Sequence, residues 1–361
     1  MNKRTPLYEL HLEMGAKMVD FGGWDMPLRY GSQIEEHHQV RQGVGMFDVS
    51  HMTVVDVTGA GTRALLQYLF ANDVDRLKTP GKALYTCMLN TQGKVLDDLI
   101  IYYMRDDWYR IIFNASTRDK DLAWVKQHAP NFDVTITEQA DAAMIAVQGP
   151  GAEQAVCQVL ADFDVDAIRS LKPFNALEQG DYFIARTGYT GEDGYEIIVP
   201  DALAPQLWSR LHAAGVTPIG LGARDSLRLE AGMNLYGSDM DEQTSPLEAG
   251  LSWTIAWEPA ERDFIGRTAL EQQKKQGVDN KFVGLLLEGK GVLRSHQKVV
   301  LDDGSEGEIT SGGFSPTLQR SIAFARVPAG IGEQCNVDIR GKQIPASVVK
   351  TVFVRHGKAC N

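Results

Sequence analysis

Residues 83–114 read ALYTCMLNTQGKVLDDLIIYYMRDDWYRIIFN, and the fold class follows from them. Ala83 to Leu89 is an apolar and aromatic run, and Asn90-Thr91-Gln92-Gly93 is turn chemistry. Val95 to Met104 resumes β-rich composition, and Tyr109 to Asn114 is a third such run. Gly and Asn accept the backbone angles that reverse a chain, whereas β-branched and aromatic residues suit a pleated, half-buried surface. Three runs joined by short turns predict an antiparallel meander. Helical segments flank it. Val54 to Val57 reads as a short strand, and Gly61 to Ala71 as an amphipathic helix. Ser116 to His128 has helical composition, with Thr117 as its cap and Pro130 as its stop. Ala142 to Gln148 is a strand ending in the Gly149-Pro150 turn. Strands and helices alternate with hairpins to about Gly237, so the class is α+β rather than doubly wound.

Upstream of the meander, Phe21-Gly22-Gly23-Trp24-Asp25-Met26-Pro27 reads as a buried turn, and Ile34 to Arg41 as a helix with Ser32 as N-cap. Downstream the character changes near residue 280. Lys281 to Leu287 is strand-like, and short β-rich runs broken by Gly, Asp and Pro continue to Val354. That pattern predicts a separate small all-β domain, a barrel or a sandwich. The polar stretch Glu258 to Asn280 reads as the connection, which divides the chain into residues 1–280 and 281–361.

Composition excludes several functional classes. The 361 residues carry 36 Lys and Arg against 47 Asp and Glu, a formal net charge of −11 that disfavours a phosphate backbone as partner. Cys87, Cys157, Cys335 and Cys360 are scattered without a CxxC pair, which argues against a zinc or iron–sulfur site. They read as buried small hydrophobes or idle surface thiols. The N-terminus lacks the apolar core of a secretory signal, and no apolar run approaches the roughly 18 residues of a membrane span. A soluble cytoplasmic protein is expected.

Five segments carry possible chemistry. Asp97-Asp98 lies in a strand-like run, so its carboxylates point to opposite faces. One is then solvated or bonded in the turn, and the other faces an apolar interior where a carboxylate suits proton transfer; on periodicity alone an Asx turn with two backbone-bonded acids is the favoured reading. Thr187 to Glu196 is a Gly-rich turn. Its glycines allow close approach of a ligand, Tyr189 can stack on a flat ring, and Glu192 and Glu196 can accept from a heterocycle. The alternative is a tight hairpin. Gly220 to Glu230 opens a helix with Arg224 and Arg228 on one face, where each meets either a ligand anion or an internal acid. Its Gly-Leu-Gly start is an incomplete nucleotide fingerprint. Ser50-His51 has no nucleophile elbow around it and reads as a loop or strand-end pair. His37-His38 reads as a solvated helix pair rather than a metal site.

Taken together, these segments closely resemble the glycine cleavage T-protein family. The matching stretches are Thr5-Pro6-Leu7, Gly15 to Phe21, Gly45 to Met52, Gly93 to Ile100, Gly188 to Glu196, Gly222 to Gly237 and Ile309 to Leu318, nearly the whole chain in order. The resemblance implies a multidomain folate-binding cloverleaf, with two α+β subdomains within residues 1–280 and a C-terminal β-barrel in 281–361. It implies an aminomethyltransferase that uses tetrahydrofolate as cosubstrate and no metal. The implied partner is a lipoylated H protein, working with the P and L proteins of glycine cleavage. Residue by residue, Asp98 matches the second acid of a Gly-Gly-x-x-Asp-Asp motif and is the implied catalytic carboxylate; Lys94 stands where the second Gly is usual. Met52, Tyr85, Ile100 and Tyr102 match pocket-lining positions. Asn114, Tyr189, Glu196 and Arg224 match folate-contacting positions, and Arg355 is a further one from the C-terminal domain. The six tryptophans are expected mostly in the core, with Trp253 or Trp257 bordering the cleft.

Three alternatives share parts of this pattern. Folate-binding relatives that assist iron–sulfur assembly carry a Lys-Gly-Cys motif, absent from this sequence. Folate domains of sarcosine or dimethylglycine oxidases accompany a flavoprotein module, also absent. A non-catalytic folate carrier would not need Asp98.

Overall fold

The structure is a computed structural model and describes residues 2–360. The chain begins β1 (Lys3–Arg4), α1 (Tyr8–Glu13), β2 (Lys17–Phe21), β3 (Trp24–Arg29), α2 (Gln33–Gln42), β4 (Gly45–Asp48), β5 (Thr53–Thr58), α3 (Thr62–Leu69), β6 (Ala83–Leu89), β7 (Val95–Arg105) and β8 (Trp108–Phe113). It continues with α4 (Arg118–His128), β9 (Thr135–Glu138), β10 (Ala142–Gln148), α5 (Ala152–Val159), α6 (Val165–Ser170), β11 (Ala176–Gln179), β12 (Tyr182–Ala185) and β13 (Gly194–Pro200). Next come α7 (Ala204–Ala213), β14 (Thr217–Pro218), α8 (Leu221–Glu230) and α9 (Arg267–Gln276). The remainder is β15 (Asn280–Leu287), β16 (Lys298–Val300), β17 (Glu306–Ser315), β18 (Arg320–Pro328), β19 (Gln334–Ile339), β20 (Lys342–Val349), β21 (Val354–Arg355) and β22 (Lys358–Ala359).

Two compact units divide these elements. One holds the chain through Leu66 together with Val74–Tyr85 and Leu99–Asp225. The other holds Gln67–Asp73, Thr86–Asp98 and the chain from Ser226 onward.

The expected meander is present. β6, β7 and β8 lie side by side in a five-stranded sheet of order β6-β7-β8-β5-β9, with Ile100 opposite Ile112 and Thr53 opposite Phe113. A six-stranded sheet of order β11-β12-β13-β10-β4-β14 is antiparallel except where β14 joins β4. Its alternate residues Ile145, Val147, Tyr195, Ile197 and Val199 bury one face against Val156, Leu207, Trp208 and Leu211 of α5 and α7. Each large apolar side chain so enclosed contributes roughly 1.5–3 kcal/mol. The period-two alternation of the strands and the helical spacing of Leu207, Trp208 and Leu211 meet in one core, which makes the class α+β.

Several local expectations are corrected. Residues 21–27 do form a turn, but Phe21 is exposed and only Met26 and Pro27 are buried. Gly22 and Gly23 take positive φ (59° and 84°), which lets β2 and β3 reverse at the surface. Ser32 caps α2 as expected, its Oγ accepting from the Glu35 amide at 3.4 Å. Thr117 does not cap α4; its hydroxyl donates to the Asn114 carbonyl instead. Pro130 does not end the helix outright, because residues 129–131 continue as a 3-10 turn that accepts proline in its first positions. Of the six tryptophans only Trp208 is fully enclosed, and Trp253 is 62% exposed.

In the second unit, β15-β18-β17-β16-β19-β20 close into a barrel. Leu285 and Leu287, then Ala323, Ala325 and Val327, project inward at two-residue steps with Val299, Ile309, Val337 and Ala346. The ladder between β17 and β18 slips between Ile309 and Ser311. Thr310 at that bulge donates to Asp239, and Asp239 also takes Arg228 Nη1 at 2.9 Å. Arg228 reaches Ser311 Oγ as well, while Glu230 accepts from Ser315 and Thr317. The Ile309 to Leu318 segment therefore anchors the end of α8. Arg262, from the stretch read only as a connection, donates to the carbonyls of Gln67, Phe70, Ala71, Asn72 and Ala256.

Candidate active site

The Gly-rich segment is the connection from β12 to β13, and buried polar side chains hold it from behind. Gln148, at the end of β10 and fully enclosed, donates through Nε2 to the Thr187 carbonyl at 3.0 Å. Its Oε1 accepts from Thr190 Oγ1 at 2.8 Å. Arg41 of α2, also buried, donates to the Thr190 carbonyl (2.6 Å) and to Glu192 Oε1 (2.7 Å). A Cβ at Gly188 would lie 2.0 Å from Gln148 Oε1, and one at Gly194 2.3 Å from Gln148 Nε2. These two glycines therefore make room for a neighbouring side chain rather than for a ligand. Glu192, expected as a possible heterocycle acceptor, is committed to Arg41.

The pinned loop presents Tyr189 and leads to Glu196. Thr187 Oγ1 donates to Glu196 Oε2 at 2.6 Å, and Tyr102 Oη lies 3.2 Å from the same hydroxyl. Because a carboxylate only accepts, the order is Tyr102 to Thr187 to Glu196. Burial, and then the charge of Glu196, push the Tyr102 hydroxyl pKa well above its ordinary value, so it remains a donor.

Arg224 belongs to the same neighbourhood. Its guanidinium lies 4.7 Å from the Tyr189 ring and 5.9 Å from that of Phe47. Burial lowers its pKa, opposed by the charge of Glu196 and by Tyr189. Nη1 is shielded from solvent and has no hydrogen-bond partner among the described residues. Of the two expected arginines, Arg228 takes the internal acid, and Arg224 is left with an unmet donor. The glycines opening α8 serve packing. A Cβ on Gly220 would meet the Leu28 carbonyl at 2.3 Å, and Gly222 abuts Gln33, whose Nε2 donates to the Gly222 carbonyl. No phosphate reading is needed for them.

β7 sets out the paired acids. Asp97, Leu99 and Ile101 share its enclosed face. Asp98, Ile100 and Tyr102 follow one another at two-residue steps on the other, with Asp98 and Ile100 half-buried. Met52 precedes Thr53 and Asn114 follows Phe113, so the two flank one end of the β5–β8 ladder; both are half-buried, as is Tyr85 on β6. Arg355 is exposed on β21 of the second unit.

Ahead of Met52 lies a buried network. Asp48 Oδ2 meets His11 Nε2 at 2.9 Å and accepts from Thr5 Oγ1 at 2.6 Å, while Oδ1 accepts from the Ser50 amide at 2.9 Å. Burial pushes the Asp48 pKa up, but these bonds outweigh it and hold the carboxyl below its ordinary range. Ser50 Oγ bonds both the amide and the carbonyl of Met144, so it is a clamp between segments and no nucleophile. His51 is 5% exposed, with its pKa pushed down to about 4 by burial and then by Arg224, against the pull of Asp48. His37, expected in solvent, is fully enclosed.

Residues 7–259 match the family model described as the GCVT N-terminal domain, and residues 280–355 match the glycine cleavage T-protein C-terminal barrel domain. The chain belongs to the glycine cleavage T-protein family. It is 58% identical to an aminomethyltransferase of Pseudomonas syringae pv. tomato over 358 residues, 99% of each chain. It is also 58% identical to one of Xanthomonas axonopodis pv. citri, covering 99% of this chain and 98% of that one. The crystal structure of glycine cleavage system aminomethyltransferase T from Bartonella henselae superposes with a TM-score of 0.93 at 34% identity, over 99% of both chains.

The resemblance drawn from the sequence thus names the right family. It passed over Arg41, Gln148 and Asp48, which position the loop and the Asp48–Met52 turn, and over the buried state of His51. The one signal for Arg41 is the spacing of Glu36, His37, Val40 and Arg41 on one helical face, a buried stripe with a single apolar member. Among the described residues no cluster of three or more His, Cys, Asp and Glu is arranged to hold a metal ion, and no helix is long and apolar enough to cross a membrane.

Proposed function

We propose that the protein moves the one-carbon unit of an aminomethyl group, carried on the dihydrolipoyl arm of an H protein, to tetrahydrofolate. The products are 5,10-methylene-tetrahydrofolate, ammonia and the free dihydrolipoyl thiol. The observation that carries this reading is the 58% identity to aminomethyltransferases across 99% of the chain. It favours turnover over a carrier or an iron–sulfur assembly role.

The residues present fit a reduced folate. Arg224 offers an unmet buried donor, and Glu196, whose charge acts on it, offers an acceptor. A donor and an acceptor together complement the carbonyl and amino edge of a pterin ring. Tyr189 offers an aromatic face that already lies against Arg224. Tetrahydrofolate, when bound, supplies the two nitrogens that take up the carbon. Two protons leave those nitrogens overall, and ammonia and the thiol each gain one. Asp98 is the group assigned to hold and pass a proton, because it lies half-buried on the less covered face of a rigid strand with Ile100 and Tyr102. Met52, Tyr85 and Asn114 are assigned to the pocket wall. The assignment of Arg355 rests on the resemblance alone. We assign residues 1–280 to the catalytic region and 281–361 to the barrel domain. The functional partners are the lipoylated H protein, with the P and L proteins upstream and downstream, and no metal, nucleic acid or membrane has a role in the reaction.

The test is Asp98→Asn, nearly isosteric and unable to accept a proton. Turnover with aminomethylated H protein should fall by at least about 100-fold with melting temperature and folate affinity retained. Wild-type turnover in this variant would remove Asp98 from the chemistry.

A further inference from the structure

Three hydrogen bonds converge on Thr187. Tyr102 Oη lies 3.2 Å from Thr187 Oγ1, Thr187 Oγ1 donates to Glu196 Oε2 at 2.6 Å, and the Thr187 carbonyl takes Gln148 Nε2 at 3.0 Å. All four residues belong to the first compact unit. The Tyr102 ring is 2% exposed and packs edge-on to Phe183 at 4.9 Å between centroids, so its hydroxyl is held in place. The Glu196 backbone is equally fixed, since β13 pairs there with Ala146 of β10 and Ala185 of β12. A glutamate carboxylate on a fixed backbone still turns over a broad range about its last torsion. Thr187 restrains that turn. A hydroxyl has a single hydrogen, and with Tyr102 donating to its oxygen, that hydrogen is directed to Oε2. The half-buried carboxylate keeps Oε1, which accepts no hydrogen bond among the described residues.

We propose that Thr187 is a positioning residue, which holds the Glu196 carboxylate turned so that its unused acceptors meet the amino and ring N–H donors on one edge of the bound cosubstrate. The proposal rests on the folate reading of the previous subsection and supplies the selectivity of Glu196 within it. Thr187 itself is buried and touches no ligand in this account; it acts through Glu196. Ordering of the carboxylate then falls on folding instead of on binding, and a planar heterocycle with two donors on one edge gains most from that. A plain clamp between the chain leaving β12 and strand β13 would use the same bonds, but it would serve every ligand of the site alike.

The test is calorimetric titration of the full-length protein with 5-formyltetrahydrofolate and with its 2-desamino analogue, which lacks one donor of that edge, alongside melting temperatures. Thr187→Val keeps the shape of the side chain and removes the hydroxyl. It should bind 5-formyltetrahydrofolate about 3- to 10-fold more weakly, the cost of ordering one side chain on binding, and the analogue within about 2-fold of wild type. Thr187→Ser keeps the hydroxyl and should bind both ligands as the wild type does. Thr187→Val strands the Tyr102 hydroxyl, so a lowered melting temperature is expected of it. The Tyr102→Phe/Thr187→Val pair removes that orphan and, measured against Tyr102→Phe, should show the same ligand-selective loss. Wild-type affinity of Thr187→Val for 5-formyltetrahydrofolate overturns the proposal. So does equal weakening toward both ligands in the single and paired variants, which makes Thr187 a clamp of the fold. Failure of the wild-type protein itself to bind 5-formyltetrahydrofolate overturns the folate reading instead, and the variants need not be consulted.

Discussion

Replacing Arg224 by methionine distinguishes a guanidinium kept for a ligand from one kept for the fold. Methionine retains the length and packing of the stem and removes the charge and its donors. In the wild type, Nη1 is enclosed without a partner and burial already works against the charge. Relief of an unsatisfied buried donor is worth about 1–3 kcal/mol. Against that stands the interaction with the Tyr189 ring at 4.7 Å, worth about 2 kcal/mol for a desolvated guanidinium. The attraction to Glu196 offsets a further part. The net for the ligand-free protein is a change within about 1 kcal/mol of zero, or no more than about 4 °C in melting temperature. Binding should change more than stability. A charge-assisted hydrogen bond contributes about 1.5–3 kcal/mol, so affinity for a reduced folate should fall about 10- to 150-fold. Differential scanning calorimetry without ligand, paired with titration calorimetry, reads both quantities on one preparation. A melting temperature lowered by more than about 4 °C, with affinity unchanged, would show that Arg224 serves the fold, and the reasoning from its orphaned donor would fail.

Other perturbations follow from the same geometry. Arg262→Met removes a donor shared by five carbonyls, of which that of Ala71 keeps the Ala256 amide, and should destabilise the protein by about 3–5 kcal/mol, seen as a lower melting temperature; an unchanged melt would mean that water replaces the guanidinium without loss. Gly188→Ala drives a Cβ to 2.0 Å from Gln148 Oε1, so it should displace the loop and weaken folate binding, whereas Gly191→Ala, at a positive φ of 78°, acts through backbone strain. Equal affinity of Gly188→Ala and wild type would show that the loop's position is not set by Gln148. Acid sensitivity carries the mark of His51. Its pKa is about 4 in the fold against an ordinary 6.5, so the unfolded chain binds the proton first as pH falls. The stability tied to it is complete above about 6.5 and lost toward about 4, with a slope up to roughly 1.4 kcal/mol per pH unit. Chemical denaturation of His51→Leu across that window should show a flatter profile, and an identical slope would place the sensitivity elsewhere.

How much of this was legible in the sequence depended on where each residue finds its partners. The β6–β8 meander and the barrel were readable because their side chains alternate between a core and its outside, a period written in the chain itself. The capped start of α2 was readable for the same local reason. The inward face of α2 was not, because Glu36 and Arg41 are buried through bonds to Tyr30, Gly31, Gly220, Thr190 and Glu192, and such a face has no hydrophobic period. Arg262 was invisible since its partners are backbone carbonyls, which leave no mark on residue identity. The glycines at 188, 194, 220 and 222 stand out in the sequence, but the neighbours they make room for do not. Each makes space for a distant segment, Gln148, Leu28 or Gln33, and only the folded chain says which. Arg224 and Arg228 looked equivalent as neighbours on one helical face, and the difference between them was Asp239, eleven residues beyond Arg228.

Carbon transfer itself is tested most directly in a single turnover. H protein carrying the aminomethyl group on its dihydrolipoyl arm is mixed with the full-length protein, with tetrahydrofolate present or omitted, and ammonia and 5,10-methylene-tetrahydrofolate are quantified together. Equal amounts of both products, formed only when tetrahydrofolate is present, are the result expected. Tight binding of tetrahydrofolate with neither product released would contradict transfer and leave a protein that holds folate without using it.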